Sequence, residues 1–162
     1  MATRIDGKAL AAQVKARAAE GAQGLRRKPG LAVILVGDDP ASRVYVTGKE
    51  KDCAECGFLS FEYKLPADTT QETLMELVER LNGEEAVDGI LCQLPLPKHL
   101  NEEQILNAIS PEKDVDCFHP VNVGRLSIGA PVFLPCTPAG VMEMLRAYEI
   151  PVAGKRCVVL GR

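Results

Sequence analysis

The stretch that decides the fold is Leu31–Lys49, LAVILVGDDPASRVYVTGK. Its first six residues, 31–36, are apolar and are followed by Gly37, an order that predicts a buried strand, a tight turn and a helix start. Asp39 is suited to the N-cap, because its carboxylate accepts from the free backbone N–H groups of the first helical turn. Pro40 is suited to the first helical position, where a missing N–H costs nothing. The stretch therefore predicts a β–turn–α unit.

The predicted helix places a lysine on a half-buried face. The residues that share this face at helical spacing are Tyr45, Lys49, Asp52, Cys53 and Cys56. Burial disfavours an ammonium, so Lys49 in such a place can be a neutral amine that acts as a general base near neutral pH. The alternative is a surface lysine whose stem packs past Tyr45. Tyr45 either borders the same cavity or is a core aromatic with a solvated hydroxyl.

Strands and helices alternate on both sides of this unit. Predicted strands follow at 58–63 and 87–94, and predicted helices run from Asp6 to about Arg27, from Asp39 to Gly57, from a capping box of Thr69 with Glu72, from Asn101 to 109, and from Thr137. Such alternation is typical of βαβ units. We therefore predict an α/β fold with a parallel sheet and helices on both faces.

The C-terminal third predicts a change of domain. Residues 118–134 are rich in Gly, Pro and Asn and show no clear period, so we predict a connector. Residues 156–162 predict a strand that runs into a glycine turn, which is how a Rossmann-type nucleotide-binding unit opens. The predicted division is 1–118, a catalytic domain; 119–155, a connector with a linking helix; and 156–162, the start of a nucleotide-binding domain. One strand has no core, so we expect the rest of that domain to lie outside these 162 residues.

Composition excludes several classes of protein. The net charge of -3 gives no basic field for nucleic acid or an anionic membrane. No apolar run approaches the ~18 residues of a spanning helix, and the N-terminus lacks the apolar segment of a signal peptide. The six cysteines predict free, buried thiols in a cytoplasmic protein. We interpret Cys53 and Cys56 as two packing thiols and not as a metal or redox site. We interpret His119 as a structural hydrogen-bonding residue.

Three polar segments follow predicted strand ends, where parallel sheets bind ligands. They are the turn after Gly37 with its helix, the segment Gln93–Pro95, and the loop that carries Asp114 and Asp116. Gln93 either holds Lys49 without adding charge or bonds to local backbone as an edge residue. The carboxylate of Asp116 can accept two parallel hydrogen bonds from a flat heterocycle, whereas Asp114 predicts a solvated turn residue.

These residues resemble the methylenetetrahydrofolate dehydrogenase/cyclohydrolase family. The resemblance runs from about Gly7 to the chain end and rests on motifs in the same order: GDDPAS at 37–42, Tyr45-x-x-x-Lys49, DGILCQLPLP at 88–97, PEKDVD at 111–116, Asn122-x-Gly124-x-Leu126, PCTP at 135–138 and VVLGR at 158–162. One departure is Cys117, which stands where the family usually has glycine. If φ is positive there, a cysteine costs about 1 kcal/mol and can shift Asp116.

The resemblance implies a reaction sequence in one-carbon metabolism and purine biosynthesis. NADP, or NAD in some members, oxidises 5,10-methylenetetrahydrofolate to the 5,10-methenyl cation, which is hydrolysed to 10-formyltetrahydrofolate in the same cleft. Hydride transfer needs no protein acid or base, only a cofactor held face to face with the folate. The resemblance also implies a homodimer formed largely through the second domain, and no metal.

The resemblance implies roles for the site residues. Lys49 is the implied catalytic residue of the hydrolysis, Gln93 adjoins it, and Tyr45 packs along the folate. The implied substrate-binding residues are Tyr45, Lys49, Cys92, Gln93, Leu94 and Asp116, and the implied cofactor-binding residues are Gly161 and Arg162. Three hypotheses stay open: an incomplete bifunctional enzyme, a non-catalytic folate-binding or interaction fragment, and an unrelated two-domain oxidoreductase that shares only the sheet.

Overall fold

The computed structural model describes residues 4–160 and shows an α/β fold around a three-stranded parallel sheet. The strands are β1 (Gly30–Val36), β2 (Leu59–Leu65) and β3 (Gly89–Cys92). Their order in the sheet is β2-β1-β3, so the strand predicted at 31–36 lies at the centre. The helices are α1 (Gly7–Gln23), α2 (Pro40–Cys56), α3 (Gln71–Gly83), α4 (Glu102–Ala108), α5 (Pro120–Ser127) and α6 (Cys136–Ala147).

Helices cover both faces of the sheet, as predicted. Alternate residues of β1 point to opposite faces, so Ile34 packs in one cluster with residues of α3 and α4. Val33 and Leu35 pack on the other face with Val46 of α2. The near-continuous apolar sequence of β1 is thereby explained, because a central parallel strand is buried on both sides.

The predicted ends of α2 are confirmed. Asp39 accepts a hydrogen bond from the backbone N–H of Ser42 at 2.7 Å, and Pro40 opens the helix. Gly57 ends it with a φ of 75°, a left-handed conformation that glycine adopts without a Cβ clash. The position and length of α2 therefore follow from local chemistry at its two ends.

Other predicted boundaries are wrong by a few residues. The helix expected to reach Arg27 ends at Gln23, where Gly24 caps it. The predicted Thr69–Glu72 capping box is not formed, because Thr70 is the N-cap and accepts from the N–H of Thr73 at 3.2 Å. The Thr69 hydroxyl instead donates to the Pro66 carbonyl.

The predicted connector contains a helix. Within 118–134, α5 begins at Pro120 behind His119, whose Nδ1 accepts from the N–H of Val121 at 3.1 Å. The structural role predicted for His119 is confirmed as a helix cap. The helix has only 8 residues, too few for its apolar period to stand out in the sequence.

Residues 156–160, predicted as the first strand of a second domain, are exposed and form no strand among residues 4–160. A strand needs a neighbouring strand to take up its backbone N–H and C=O groups, and none lies beside this segment in the described range. Gly161 and Arg162, the predicted cofactor-binding residues, lie outside the described residues. The division into domains stays a prediction.

Candidate functional site

The site forms where β1 and β3 end and α2 runs past them. Lys49, in the third turn of α2, is half-buried, and its Nζ donates to Oε1 of Gln93 at 3.1 Å. Gln93 follows the last residue of β3, and its backbone N–H donates to the carbonyl of Ile34 in β1 at 2.8 Å. The two predicted segments after strand ends are therefore brought together, and Lys49 is not a free surface lysine.

The orientation of Gln93 is fixed by its second hydrogen bond. Its Nε2 donates to the carbonyl of Leu94 at 2.9 Å, so its Oε1 is the atom left to face Lys49. A neutral amide accepts from the lysine without adding charge. This matches the predicted role, in which Gln93 holds Lys49, more closely than the alternative of an edge residue bonded only to backbone.

Asp116 is the third member of the site and is half-buried. Loss of solvent raises the pKa of its carboxyl group, the nearby charge of Lys49 opposes that rise, and Asp114 adds to it. This influence of Lys49 indicates that its ammonium group lies on the same side of the sheet edge as Asp116. Lys49, Gln93 and Asp116 thus line one place at the carboxyl edge of the sheet.

Asp114 differs from its prediction as a solvated turn residue. Its side chain is 3% exposed, and its carboxylate accepts from the backbone N–H of Phe118 at 3.1 Å and of His119 at 2.9 Å. Nδ2 of Asn122, which is 1% exposed, donates to the same carboxylate at 2.9 Å. Asp114 does form a turn, as predicted, but its contact with Asn122 of α5 buries its side chain.

Cys117 has the positive φ that the family's usual glycine suggested. Its φ is 60° and its side chain is 2% exposed, and burial raises the pKa of its thiol. A residue with a Cβ in this conformation is strained, because the Cβ approaches the following carbonyl. Asp116 directly precedes this strained residue.

The remaining predicted site residues are only partly brought together. The Tyr45 side chain is 65% exposed. The buried seam of α2 runs through Ser42, Val46 and Cys53, one residue to the side of Tyr45, which is why the predicted shared face holds for Lys49 and not for the tyrosine. The role of Tyr45 against a ligand stays a prediction.

Cys92 and Leu94 flank Gln93 with different side-chain environments. Cys92 is 3% exposed, and burial raises the pKa of its thiol to about 12, with Glu102 and Asp116 adding to the rise. Its side chain therefore belongs to the core, and the implied role of Cys92 in substrate binding stays a prediction. Leu94 packs partly buried against the same core.

Cys136, at the first turn of α6, is a neighbour that the sequence did not single out. Its side chain is exposed, yet partial loss of solvent raises the pKa of its thiol, the charge of Asp116 adds to the rise, and Lys49 opposes it. The PCTP motif is visible at 135–138, but nothing in the neighbouring sequence indicates that Cys136 lies near Asp116 and Lys49. The prediction of free, buried thiols is confirmed for Cys53, Cys56, Cys92 and Cys117, whereas Cys136 and Cys157 are free but exposed.

A cavity of about 920 Å³ lies between α1 and α6 and reaches Cys136. Its apolar lining includes Leu10, Val14 and Met142, whereas Lys49, Gln93 and Asp116 are not part of its wall.

Within residues 4–160, no group of three or more His, Cys, Asp or Glu side chains is placed to hold a metal ion. No helix in that range is long and apolar enough to span a membrane.

Comparison with known sequences gives one family. The sequence model of the tetrahydrofolate dehydrogenase/cyclohydrolase catalytic domain matches residues 5–116. The bifunctional protein FolD of Ruminiclostridium cellulolyticum is 58% identical over 161 residues, which are 98% of this chain and 57% of that protein. The chain therefore spans about half the length of the curated relatives it matches.

Solved structures give the same fold. The bifunctional FolD methylenetetrahydrofolate dehydrogenase/cyclohydrolase of Campylobacter jejuni superposes with a TM-score of 0.88 at 51% identity, covering 91% of this chain and 54% of that one. The Trypanosoma brucei methylenetetrahydrofolate dehydrogenase-cyclohydrolase, solved with NADP and an inhibitor, has a TM-score of 0.91 at 43% identity, covering 95% and 54%.

Proposed function

Because the chain belongs to the tetrahydrofolate dehydrogenase/cyclohydrolase family, we propose that it forms the folate-binding part of a bifunctional enzyme. Such an enzyme oxidises 5,10-methylenetetrahydrofolate and hydrolyses the resulting 5,10-methenyl cation to 10-formyltetrahydrofolate. The observation that carries the proposal is the half-buried Lys49, hydrogen-bonded to Gln93 beside the carboxylate of Asp116. Family membership sets aside the hypothesis of an unrelated oxidoreductase.

Asp116 binds the substrate in this proposal. A carboxylate accepts two parallel hydrogen bonds from the adjacent N–H donors of a pterin edge, which fixes the ring in its plane. Its burial strengthens these bonds, because fewer water molecules compete for the oxygen atoms. The pterin held at Asp116 then places the one-carbon bridge close to Lys49.

Lys49 assists the hydrolysis. A cationic methenyl bridge beside the half-buried amine favours the neutral form of that amine. Water attacks the bridge carbon and gives one proton to Lys49 Nζ. The bond from the carbon to N5 then breaks as the hydroxyl of the adduct becomes the formyl carbonyl and its proton passes to N5, which leaves the formyl group on N10. Lys49 then releases the proton to solvent. Gln93 keeps Nζ in place throughout, since its own Nε2 is held by the backbone.

The cofactor is NADP in this proposal, with NAD as the alternative. The support is the Trypanosoma brucei relative, which was solved with NADP. NADP supplies hydride acceptance when bound. In the part of this chain that the structure describes, the segment 156–160 is exposed and offers no formed cradle for a nucleotide. Binding at Gly161 and Arg162, and a homodimer, stay predictions.

A non-catalytic folate-binding or interaction fragment is the second candidate. A fragment would retain the site at the sheet edge, because Lys49, Gln93 and Asp116 all lie on its own elements. It would bind reduced folate without turning it over.

Hydrolysis of 5,10-methenyltetrahydrofolate separates these candidates and tests Lys49. Turnover, measured as the loss of substrate absorbance, supports the enzyme. Folate binding that calorimetry detects without turnover supports the fragment. In the enzyme, Lys49→Met keeps the aliphatic stem and removes the amine, and we expect a loss of about 10²–10⁴-fold in rate, the usual worth of a general base. Lys51→Met is the matched control, since Lys51 lies on the same helix and is 77% exposed. An unchanged rate for Lys49→Met would show that the assigned role is wrong.

A further inference from the structure

Asp114 and Asn122 form a buried polar pair directly behind the substrate-binding loop. We propose that Asp114, held by Asn122, is the positioning residue that fixes Asp116 toward Lys49. The proposal rests on the binding role of Asp116 proposed above. The geometry that carries it is a closed turn, in which the carboxylate of Asp114 accepts from the backbone N–H groups of Phe118 and His119. These bonds close residues 114–119 into a ring, called the Asp114 ring below, and Asp116 lies within it.

The ring is closed by backbone contacts as well. The N–H of Cys117 donates to the carbonyl of Asp114 at 3.2 Å, and the N–H of Ile90 in β3 donates to the carbonyl of Lys113 at 2.7 Å. The first bond tightens the turn, and the second ties its start to the sheet. Asp116 is thereby fixed on both sides, by β3 before it and by the first turn of α5 after it.

A carboxylate fits the place of Asp114 better than an amide. Three N–H donors converge on it, two from backbone and one from Asn122. A carboxylate accepts all three, and such charge-assisted bonds offset the cost of burying its charge. An asparagine of the same shape would turn an NH2 group toward N–H donors, so Asp114→Asn opens the ring without changing the volume of the side chain.

Asn122 shows that the pair is not simply a well-packed core contact. Its Nδ2 donates to the carboxylate of Asp114 and to the carbonyl of Pro111 at 2.8 Å, whereas its Oδ1 is buried with no hydrogen-bond partner among residues 4–160. A buried, unpaired carbonyl oxygen is destabilising. Rotating the amide would place Oδ1 against the carboxylate, which is worse, so the side chain keeps its unpaired oxygen and serves as a donor to Asp114.

The strain at Cys117 fits the same purpose. A positive φ at a residue with a Cβ persists only where the surrounding structure enforces it, and here the ring of Asp114 does so. If the ring opens, Cys117 relaxes toward negative φ and carries the side chain of Asp116 with it. The position of Asp116 thus depends on Asp114 even though the two carboxylates bind different partners.

A thiol next to the site provides a test that needs no substrate. Cys136 is exposed, and the charge of Asp116 raises its pKa. We would measure the pH dependence of Cys136 alkylation by iodoacetamide in a Cys157→Ser background, which removes the other exposed cysteine. Asp116→Asn should move the profile to lower pH by removing the charge. Asp114→Asn should move it in the same direction, because Asp116 leaves its place.

A double-mutant cycle then distinguishes positioning from general destabilisation. We expect Asp114→Asn to have no further effect on the profile when Asp116 is already Asn, because a residue that acts through another is non-additive with it. Binding of 5-formyltetrahydrofolate should follow the same cycle, with each single change weakening it by about tenfold or more and the double change no weaker than Asp116→Asn. Additive effects, or an unchanged profile in Asp114→Asn, would overturn the proposal.

The two readouts separate the two claims. If Asp116→Asn shifts the Cys136 profile but leaves folate binding unchanged, the proposed function fails while the positioning by Asp114 is still decided by the thiol. If Asp114→Asn does not fold, Asn122→Ala takes its place, since it removes one of the three donors together with the unpaired oxygen. It should shift the profile in the same direction, and an unshifted profile in that folded variant would overturn the proposal.

Discussion

Cys117, next to Asp116, provides a test of backbone strain, because alanine and glycine should there reverse their usual order of stability. At most buried positions, alanine is more stable than glycine, because glycine has the more flexible unfolded chain. At Cys117 the φ of 60° reverses this preference, since any Cβ crowds the following carbonyl oxygen. We therefore expect Cys117→Gly to be more stable than Cys117→Ala.

The magnitude follows from what the two variants share. Both remove the same buried sulfur from a side chain that is 2% exposed, so that loss cancels when they are compared with each other. The left-handed conformation costs about 1–2 kcal/mol with a Cβ, and the extra unfolded freedom of glycine costs about 0.5–1 kcal/mol. The glycine variant should therefore exceed the alanine variant by up to about 1.5 kcal/mol in free energy of unfolding.

A second buried cysteine gives the matched control. Cys53 lies inside α2 and is 7% exposed, with helical φ and ψ. There, Cys53→Ala should be more stable than Cys53→Gly by about 1 kcal/mol, the difference in helix propensity. The assay is urea unfolding of the four variants. The dependence of the unfolding free energy on urea concentration, the m-value, should be the same in all four. Greater stability of Cys117→Ala than of Cys117→Gly, the order expected at Cys53, would refute the assignment of strain to Cys117.

Two further predictions concern the frame that holds β1 and β3 together. A Cβ at Gly30 would lie 1.9 Å from the backbone oxygen of Ala86, so Gly30→Ala should lower the free energy of unfolding by about 3 kcal/mol or more, measured in urea, whereas Gly21→Ala in open space within α1 should raise it by about 0.5–1 kcal/mol. Arg27 donates to both carboxylate oxygens of Asp88 at 2.7 Å and lowers the pKa of that carboxyl group, so stability is present above about pH 4 and is lost as the pH falls through the lowered pKa. Arg27→Met should therefore flatten the acid limb of a plot of the unfolding midpoint against pH, and an unchanged limb would show that the pair contributes nothing.

The three side chains of the candidate site are held in place in two different ways. Lys49 is on a helix capped at both ends, and Gln93 is bonded to the central strand. Gln93 directly follows β3, whereas Asp116 lies in the loop before α5, which is held by the hydrogen bonds of buried Asp114. Rigid elements carry the amine and the amide, while the Asp114 ring provides the loop with the precision that a helix or strand would have supplied.

Local chemistry made much of this protein predictable from its sequence. The apolar run at 31–36 favoured a buried strand, and Asp39, Pro40 and Gly57 set the ends of α2 because each satisfies or omits a specific backbone group. The alternation of strands and helices then gave the parallel sheet, whose geometry brings strand ends together. The grouping of Lys49 with Gln93 follows from that geometry, and their hydrogen bond confirms it.

Tertiary structure decided what depends on residues that are distant in sequence. Asp114 has the pattern of a solvated turn residue until α5 packs over it and buries it, and Cys136 comes near Asp116 because α6 packs against α1. Tyr45 is exposed because the sheet meets α2 along a seam one residue away, a rotation that helical periodicity alone does not fix. Sequence determines which backbone groups each segment can satisfy by itself, whereas burial and electrostatic neighbours are set by packing between segments, and these are the features on which the chemistry of the site depends.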